Sequence, residues 1–254
     1  MRALLLAAGL GTRLRPLTNS VPKCLVEIDG RPLLDYWIEL LCKGGIADIL
    51  INLHHLPEAV HAYVERCRHP VNITAVFEPE LLGTAGTLLR NRAFFREEPA
   101  MLIHADNLSL FDARAFMDAF YGRGPGIDAT MMTFTTDAPQ ACGIVEVDAG
   151  GVVRAFSEKV ANPPGNLANA AVYILAPQVM ELIADMGRKV VDFSTEVLPK
   201  LIGRINTFHN RIYHRDIGTP ESLRVARIEY PAAVARRAQY GASALPRGSR
   251  ARHC

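Results

Sequence analysis

A glycine-rich turn that carries basic residues follows the first apolar run of the chain. The run 3–8 predicts a buried strand, and after it come Gly9, Gly11 and Arg13, with Lys23 further on. Glycines allow backbone N–H groups to approach a phosphate closely, and α/β folds bind ligands at the carboxyl ends of their parallel strands. The turn therefore predicts a phosphate site in which Arg13 and Lys23 supply positive charge.

Two well-known phosphate-binding motifs are absent from this turn. A dinucleotide fingerprint needs a third glycine where the chain has Leu14. A P-loop needs four residues between its glycines and then Gly-Lys-Ser or Gly-Lys-Thr, which the turn lacks. The sequence thus argues against a standard dinucleotide-dependent dehydrogenase and against a P-loop NTPase.

Two aspartates lie at the ends of predicted strands. Asp106 ends the apolar run 101–105, and Asp216 ends the alternating run 212–215. Strand ends can meet at one edge of a sheet, and hard carboxylate oxygens suit Mg²⁺, which usually takes one or two carboxylates together with substrate phosphates. A helix cap or a turn is the alternative for either aspartate taken alone.

Together these features resemble the signature of the sugar-1-phosphate nucleotidyltransferase family, also called nucleotide-sugar pyrophosphorylases. The resemblance extends over about residues 1–226 and is closest to the mannose-1-phosphate guanylyltransferase-like branch. Several segments match the family's pattern in the same order, and the set is far more specific than any one segment. They are 7–16 with 22–23, 82–86, 104–107, 142–145, 158–159, 169–173 and 216–219.

The resemblance implies a role for each matching position. Asp106 and Asp216 would bind Mg²⁺. Arg13 and Lys23 would neutralise the departing pyrophosphate, and Lys159 would hold and orient the sugar 1-phosphate. The nucleotide-binding residues would be Ala8, Gly9, Gly11, Thr12, Glu78, Gly83 and Thr84. The sugar-binding residues would be Gly143, Glu158 and Asn169.

The base preference is expected to depend on Glu78. In the family, the residue five before the glycine at position 83 often reads the base, and here it is Glu78. A carboxylate only accepts hydrogen bonds, so it would complement the N1–H and 2-amino donors of guanine, whereas an amide suits uracil or thymine better. GTP is therefore favoured. A solvated charge at a strand end is the alternative for Glu78, and Glu80 could do the same work.

Three positions depart from the family's pattern. Ala105, before the first aspartate, and Ala171 stand where the family usually has glycine, and Cys24 stands where proline is common. The extra methyl group at 105 is a small change, so metal binding is still expected. The change at 171 affects the identity of the sugar rather than the reaction. Cys24 is predicted to be a small buried hydrophobic residue.

Apolar runs alternate with segments of helical period, which predicts an α/β fold with a mixed, mostly parallel sheet. Short β-rich runs in the second half predict a small antiparallel excursion, and the resemblance implies a Rossmann-like three-layer αβα sandwich. The predicted strands are 3–8, 48–53, 71–77, 101–105, 128–136, 142–147, 152–157, 170–175 and, as one or two strands, 205–215. The predicted helices are 33–43, 57–68, 84–96, 113–121 with Asp112 as cap, 177–186, 194–202 and 220–229.

The chain is predicted to divide near residue 230. Residues 1–229 would form the nucleotidyltransferase catalytic domain, because every matching segment lies within them. Residues 230–254 carry several arginines among Ala, Ser, Gly and Pro, which predicts a basic, disordered C-terminal tail. A nucleic-acid-binding arm lacks the support of interleaved aromatic residues.

The composition is that of a globular protein, with 49% hydrophobic and 21% charged residues in 254. A net charge of +2 argues against a general nucleic-acid binder. Five scattered cysteines without a CxxC pair fit a reducing compartment, so a cytoplasmic location is expected. No membrane partner is expected, because the apolar run near the start is too short to span a bilayer. A homo-oligomer remains possible.

The leading hypothesis is an enzyme that joins an NTP to a sugar 1-phosphate, mannose- or heptose-like sugars being favoured, and releases pyrophosphate. A uridylyl- or thymidylyltransferase for another sugar 1-phosphate is one alternative. A non-catalytic nucleotide-sugar-binding regulatory subunit and a transferase that uses an amino-alcohol phosphate such as phosphocholine are two others. The presence of Arg13, Lys23, Asp106 and Asp216 argues against the regulatory subunit.

Overall fold

The computed structural model describes residues 1–243, with side chains up to Arg237. The strands are β1 Arg2–Leu6, β2 Glu27–Ile28, β3 Arg31–Pro32, β4 Asp48–Leu53, β5 Asn72–Phe77, β6 Ala100–His104, β7 Asn107–Leu110, β8 Ala129–Thr135, β9 Gly143–Val147, β10 Val153–Glu158, β11 Leu167–Leu175, β12 Ile205–His209 and β13 Tyr213–Asp216. The helices are α1 Leu33–Gly44, α2 Pro57–Arg66, α3 Gly83–Arg90, α4 Arg92–Phe95, α5 Ala113–Tyr121, α6 Pro177–Ala184 and α7 Pro220–Ser243.

A nine-stranded mixed sheet forms the centre of the protein. Its main order is β10-β9-β11-β6-β1-β4-β5, and β8 pairs with both β11 and β12. The block β6-β1-β4-β5 is parallel, whereas β11 runs antiparallel to β6, β8 and β9. The parallel strands therefore end at one edge of the sheet, and the predicted antiparallel excursion is present in the second half.

Helices cover both faces of this sheet. One core cluster packs α1, α2 and α5 against residues such as Leu5 and Ile103, and a second packs α3 and α6 against residues such as Leu4 and Leu102. Adjacent residues of one strand point to opposite faces, so β1 and β6 contribute to both clusters. The three-layer αβα sandwich is confirmed.

Several predicted elements differ in detail. β1 ends at Leu6 rather than at residue 8, because the Ala7 N–H donates to the side chain of Asn52. The predicted helix 84–96 is divided at Asn91, whose side-chain amide donates to the Thr87 carbonyl in the preceding turn. The predicted helix 194–202 is a five-residue π turn followed by a short 3₁₀ helix, which contains Pro199. Proline has no N–H for an α-helical ladder.

The C-terminal helix α7 extends to Ser243, so the predicted helix end at 229 is wrong. Tyr230 is buried, and its ring lies 4.8 Å from that of Tyr36 and 5.6 Å from that of Tyr213. Pro231 lies inside this helix, although proline usually ends or kinks a helix. Residues 230–243 therefore do not form the disordered tail that was expected. The rest of that tail, 244–254, lies outside the described residues, and the catalytic domain 1–229 stays a prediction.

We expect Tyr230→Ala to lower the free energy of unfolding by about 3 kcal/mol, because removing a buried aromatic ring leaves a cavity between α1, β13 and α7. Urea unfolding followed by circular dichroism measures the change. Tyr121→Ala is the matched control, since Tyr121 is 60% exposed on α5 and should cost under about 1 kcal/mol. Equal losses in the two variants would show that Tyr230 does not anchor α7.

None of the helices within residues 1–243 combines the length and the apolar character that crossing a bilayer requires.

Candidate functional site

Asp106 and Asp216 lie close together although they are far apart in the sequence. β7 starts directly after Asp106 and pairs antiparallel with β13, which places Asp216 opposite Asn107. The Lys23 ammonium contacts both carboxylates, 2.7 Å from Asp106 Oδ2 and 3.4 Å from Asp216 Oδ1. The Arg13 guanidinium lies 3.6 Å from Asp216 Oδ2. The structure thus brings the four predicted charged residues into one cluster.

Trp37 on α1 helps to hold this cluster in place. Its indole N–H donates to the Asn107 carbonyl at 2.8 Å, and its ring is buried in the core. The first residue of β7, next to Asp106, is therefore fixed to a rigid helix. Lys23 is similarly constrained, because its side chain is only 6% exposed.

The carboxylate pair fits a Mg²⁺ site. Both carboxylates contact the same ammonium, so their oxygens converge on one region, and they match the one or two carboxylates that Mg²⁺ usually takes from a protein. Burial opposes ionisation of Asp106, but Lys23 and His104 favour the charged form and hold the pKa of Asp106 below its ordinary value. The charged form is the one that binds a cation. Within residues 1–243, no group of three or more His, Cys, Asp or Glu forms a metal site.

Gly11 allows the glycine loop to pack against the segment that carries Lys23. Its φ of 61° is left-handed, and a Cβ there would lie 2.8 Å from Thr18 Cγ2 and 3.3 Å from Lys23 Cβ. The Thr18 hydroxyl donates to the Gly11 carbonyl at 2.7 Å. A side chain at position 11 would therefore disturb both the loop and Lys23. Gly9, Leu10, Thr12 and Arg13 of the loop are exposed.

A cavity of about 210 Å³ lies beside the loop, at the carboxyl ends of the four parallel strands β1, β4, β5 and β6. Predicted nucleotide-binding residues and charged residues of the cluster share its lining. They are Ala8, Gly9, Lys23, Glu78, Gly83, Thr84 and Asp106. The position agrees with the rule that open α/β sheets bind ligands beyond the carboxyl ends of their strands.

Glu78 is a buried acidic residue of this cavity, with 5% of its surface exposed. Its Oε2 accepts a hydrogen bond from the Asn52 side-chain amide at 3.2 Å. Its Oε1 is buried and has no hydrogen-bond partner among the described residues. A buried acceptor without a partner is costly, and a ligand that donates a hydrogen bond would remove that cost. Glu80, by contrast, is exposed and lines a different cavity next to β5 and α3.

Thr84 uses its side chain within the protein. Its hydroxyl donates to Asp192 Oδ2 at 3.2 Å and accepts from the Phe193 N–H at 2.7 Å. The hydroxyl therefore joins the start of α3 to the π turn at residue 193. Gly83, the first residue of α3, lines the cavity beside it.

The predicted sugar-side residues Gly143, Glu158 and Lys159 are neighbours because β9 pairs with β10. A Cβ at Gly143 would lie 2.7 Å from both Glu158 Oε2 and the Phe156 ring, so glycine allows these side chains to approach the backbone closely. The Lys159 ammonium lies 3.2 Å from Glu158 Oε1, and its side chain is 64% exposed. The ammonium is thus accessible to a phosphate, although these three residues do not line the cavity described above.

Asn169 lies on the neighbouring strand β11, and its amide is largely engaged within that strand. Its Nδ2 donates to the Tyr173 hydroxyl at 2.6 Å, and its Oδ1 accepts from the Ala171 N–H at 2.9 Å. Ala171 has a left-handed φ of 53°, at a break in the register between β11 and β8. Asn169 therefore holds the bulge in β11, and only its remaining hydrogen-bonding capacity is open to a sugar.

Sequence reasoning missed Asn52, Thr87 and His104, all of which line the cavity. Asn52 had a detectable signal, because it is a lone amide in the otherwise apolar run 49–53. His104 was quoted only as part of a matching segment; burial lowers its pKa, and its Nε2 has no hydrogen-bond partner among the described residues. Cys24 is buried as predicted, and burial raises the pKa of its thiol to about 12.

The chain is similar to known proteins over most of its length. The family model described as nucleotidyl transferase matches residues 2–232. Mannose-1-phosphate guanyltransferase 2 of Candida glabrata is 32% identical over 88% of this chain, and mannose-1-phosphate guanyltransferase of Debaryomyces hansenii is 31% identical over 93%. The chain spans 63% and 66% of the length of these two relatives.

A solved structure has the same fold. HddC from Yersinia pseudotuberculosis complexed with GMP-PN matches with a TM-score of 0.75 and 25% identity, over 90% of this chain and 99% of that one.

Proposed function

The chain belongs to the nucleotidyl transferase family, and we propose that it transfers a nucleoside monophosphate from an NTP to a sugar 1-phosphate and releases pyrophosphate. GTP is the proposed nucleotide, and a mannose- or heptose-like sugar 1-phosphate is the proposed acceptor. Two curated relatives are named mannose-1-phosphate guanyltransferases, and the similar solved structure holds GMP-PN, which supports both choices.

The cluster of Arg13, Lys23, Asp106 and Asp216 beside the cavity is the observation that carries this proposal. In the reaction, a phosphate oxygen of the sugar 1-phosphate attacks the α-phosphorus of the NTP. The bond between the α-phosphorus and the bridging oxygen breaks, and pyrophosphate leaves with that electron pair. The nucleophile is already anionic, so positioning and charge stabilisation can supply most of the catalysis without a general base.

Each member of the cluster has a proposed task. Asp106 and Asp216 would hold Mg²⁺, which supplies charge stabilisation and orientation for the phosphates. Lys23 and Arg13 would neutralise the negative charge on the leaving pyrophosphate. The contacts that Lys23 makes with the two carboxylates support this role, because they hold its ammonium beside the proposed metal ligands.

The cavity supports a guanine nucleotide. A carboxylate at Glu78 would accept from N1–H and the 2-amino group of guanine, and its buried Oε1 lacks any other described partner. Uracil and thymine each present only one ring N–H between two carbonyl oxygens, and these oxygens would be left facing a carboxylate.

Lys159 is the proposed contact for the sugar phosphate. We expect Lys159→Ala to raise the KM for the sugar 1-phosphate about tenfold or more and to change the KM for the NTP less than threefold, because a single charged contact is worth about 1.5–3 kcal/mol. Steady-state kinetics with each substrate varied in turn measure both values. Lys200→Ala, at an exposed lysine in another part of the chain, is the control. Equal increases in both KM values would contradict the proposed role.

A cytoplasmic location is also proposed. Cys24, Cys42, Cys67 and Cys142 are free thiols, which supports a reducing compartment.

The experiment that tests the function is a matrix of substrates with pyrophosphate release as the readout. GTP, UTP, dTTP, ATP and CTP are each combined with mannose 1-phosphate, a heptose 1-phosphate, glucose 1-phosphate and phosphocholine. We expect the highest kcat/KM with GTP and a mannose- or heptose-like sugar. Release with CTP and phosphocholine alone would assign a different transferase, and no release in any well would favour a nucleotide-sugar-binding regulatory subunit.

A further inference from the structure

Asn52 is a buried amide at the junction of three parts of the nucleotide cavity. It lies on β4, opposite Leu6 of β1 and Val76 of β5, and is 3% exposed. Its neighbours in the strand, residues 49–51 and Leu53, are apolar and buried. A polar side chain in such a strand needs partners, because burying an unpaired amide costs free energy.

The two ends of the Asn52 amide make different contacts. Oδ1 accepts from the Ala7 N–H at 2.9 Å, at the start of the glycine loop. Nδ2 donates to Glu78 Oε2 at 3.2 Å and to Thr87 Oγ1 on α3 at 3.4 Å. One side chain thus connects the loop to the acidic residue of the cavity. An amide of this length supplies an acceptor on one side and donors on the other.

The contact with Asn52 gives the two carboxyl oxygens of Glu78 different surroundings. Asn52 satisfies Oε2, whereas Oε1 has no partner among the described residues. Since a carboxyl group is planar, fixing one oxygen also restricts where the other can lie. We propose that Asn52 is a positioning residue that sets the base preference of the nucleotide site by holding the carboxyl group of Glu78. This inference rests on the proposed function, in which Glu78 reads the base.

The variant Asn52→Asp tests the inference with almost no change in shape. An aspartate can still accept from the Ala7 N–H, but it faces Glu78 with a second carboxyl oxygen in place of an N–H. Where both carboxylates are ionised they repel each other and share no proton, so the nucleotide titration is carried out at a pH of about 8, at which Glu78 should lose its orientation. We expect the ratio of the dissociation constants for UTP and GTP to fall at least tenfold, measured by calorimetric titration.

A matched control is available on the surface of the same sheet. Asn72 on β5 donates its side-chain amide to Asp48 Oδ1 at 3.0 Å, so it is also an amide paired with a carboxylate, but it is exposed. Asn72→Asp should leave the ranking of the nucleotides unchanged. If Asn52→Asp does not fold, Asn52→Ser replaces it. A serine cannot reach both partners but adds no charge, and this variant should also narrow the preference for GTP over UTP.

The double variant Asn52→Asp with Glu78→Gln separates positioning from structure. In this double variant the donor and the acceptor are exchanged, so the hydrogen bond between positions 52 and 78 is restored. The Tm should therefore lie within about 3 °C of the wild-type value, which corresponds to a change in stability of under about 1 kcal/mol. The GTP preference should not return, because position 78 no longer presents a carboxylate.

The outcome that overturns the inference is an unchanged ranking of the nucleotides in Asn52→Asp and in Asn52→Ser, with all affinities reduced by one common factor. That result would assign Asn52 a purely structural role. A wild type that prefers a base other than guanine would instead contradict the proposed GTP preference. In that case the positioning role of Asn52 would still be supported if its variants changed the ranking of the nucleotides. The failure of the inference and the failure of the proposed function are therefore distinguishable.

Discussion

Asp106→Asn is expected to lower kcat by on the order of 10²-fold or more, because it replaces a charged carboxylate ligand of the proposed Mg²⁺ site with a neutral amide and so weakens the stabilisation of charge on the phosphates. The substitution also removes the charge of the carboxylate that Lys23 contacts at 2.7 Å, and leaves the carboxylate of Asp216 at 3.4 Å as the ion-pair partner of that ammonium. The measurement is pyrophosphate release over a Mg²⁺ titration. Excess Mg²⁺ should restore only part of the activity, since one of the two carboxylate ligands is gone.

Two comparisons make this prediction specific. Glu221→Gln removes a carboxylate of an exposed pair with Arg224 on α7, and it should leave kcat unchanged. Wild-type protein in EDTA should lose its activity and regain it when Mg²⁺ is added. Full activity in EDTA, or an Asp106→Asn variant as active as Glu221→Gln, would rule out the metal assignment.

The charged cluster could be predicted because each of its members is marked locally. Asp106 and Asp216 each end a run that reads as a strand, and Arg13 and Lys23 flank a glycine turn. Arg13 and Asp106 follow the parallel strands β1 and β6, which end at a common edge, whereas Asp216 reaches them through the antiparallel pair of β13 with β7. Distances and burial were not predictable, since they depend on β7 pairing with β13 across a gap of about 100 residues.

The contacts of Asn52 show where this reasoning stops. A lone polar residue in an apolar strand signals a partner but does not identify it, and its partners Ala7, Glu78 and Thr87 come from three different elements. Asn169 illustrates the same limit. Its position suggested a sugar contact, but the structure shows that its amide also stabilises a bulge within its own strand. Hydrogen-bond partners of buried polar groups depend on the complete fold.

The error at α7 has a different origin. Pro231 and the arginines after it are typical of a helix end and a solvated tail, and local preference alone favours a stop there. Packing of Tyr230 between Tyr36 and Tyr213 outweighs that preference. Truncating a buried aromatic ring costs about 3–5 kcal/mol, which is enough to offset the cost of about 3 kcal/mol for a proline inside a helix.

Glu78→Gln is expected to lower kcat/KM for GTP about 10- to 150-fold, because losing a charged hydrogen-bond acceptor typically costs about 1.5–3 kcal/mol. The preference for GTP over UTP or dTTP should narrow at the same time, since an amide can donate to a base carbonyl. Glu80→Gln is the matched control. Glu80 is exposed outside the proposed nucleotide cavity, whereas Glu78 is buried in it with Oε1 unpaired among the described residues. Only Glu78→Gln should therefore change the ranking of the nucleotides.

Measurement of kcat/KM for all NTPs on the wild type and on both variants decides between these two residues. If only Glu80→Gln changed the ranking of the NTPs, the exposed Glu80 would read the base, and the assignment to the buried Glu78 would be contradicted. An unchanged ranking in both variants would mean that backbone groups of the loop and of α3 read the base without a carboxylate. The buried position of Glu78 and its contact with Asn52 favour a change confined to Glu78→Gln, because a side chain held in one orientation discriminates between bases better than a mobile one.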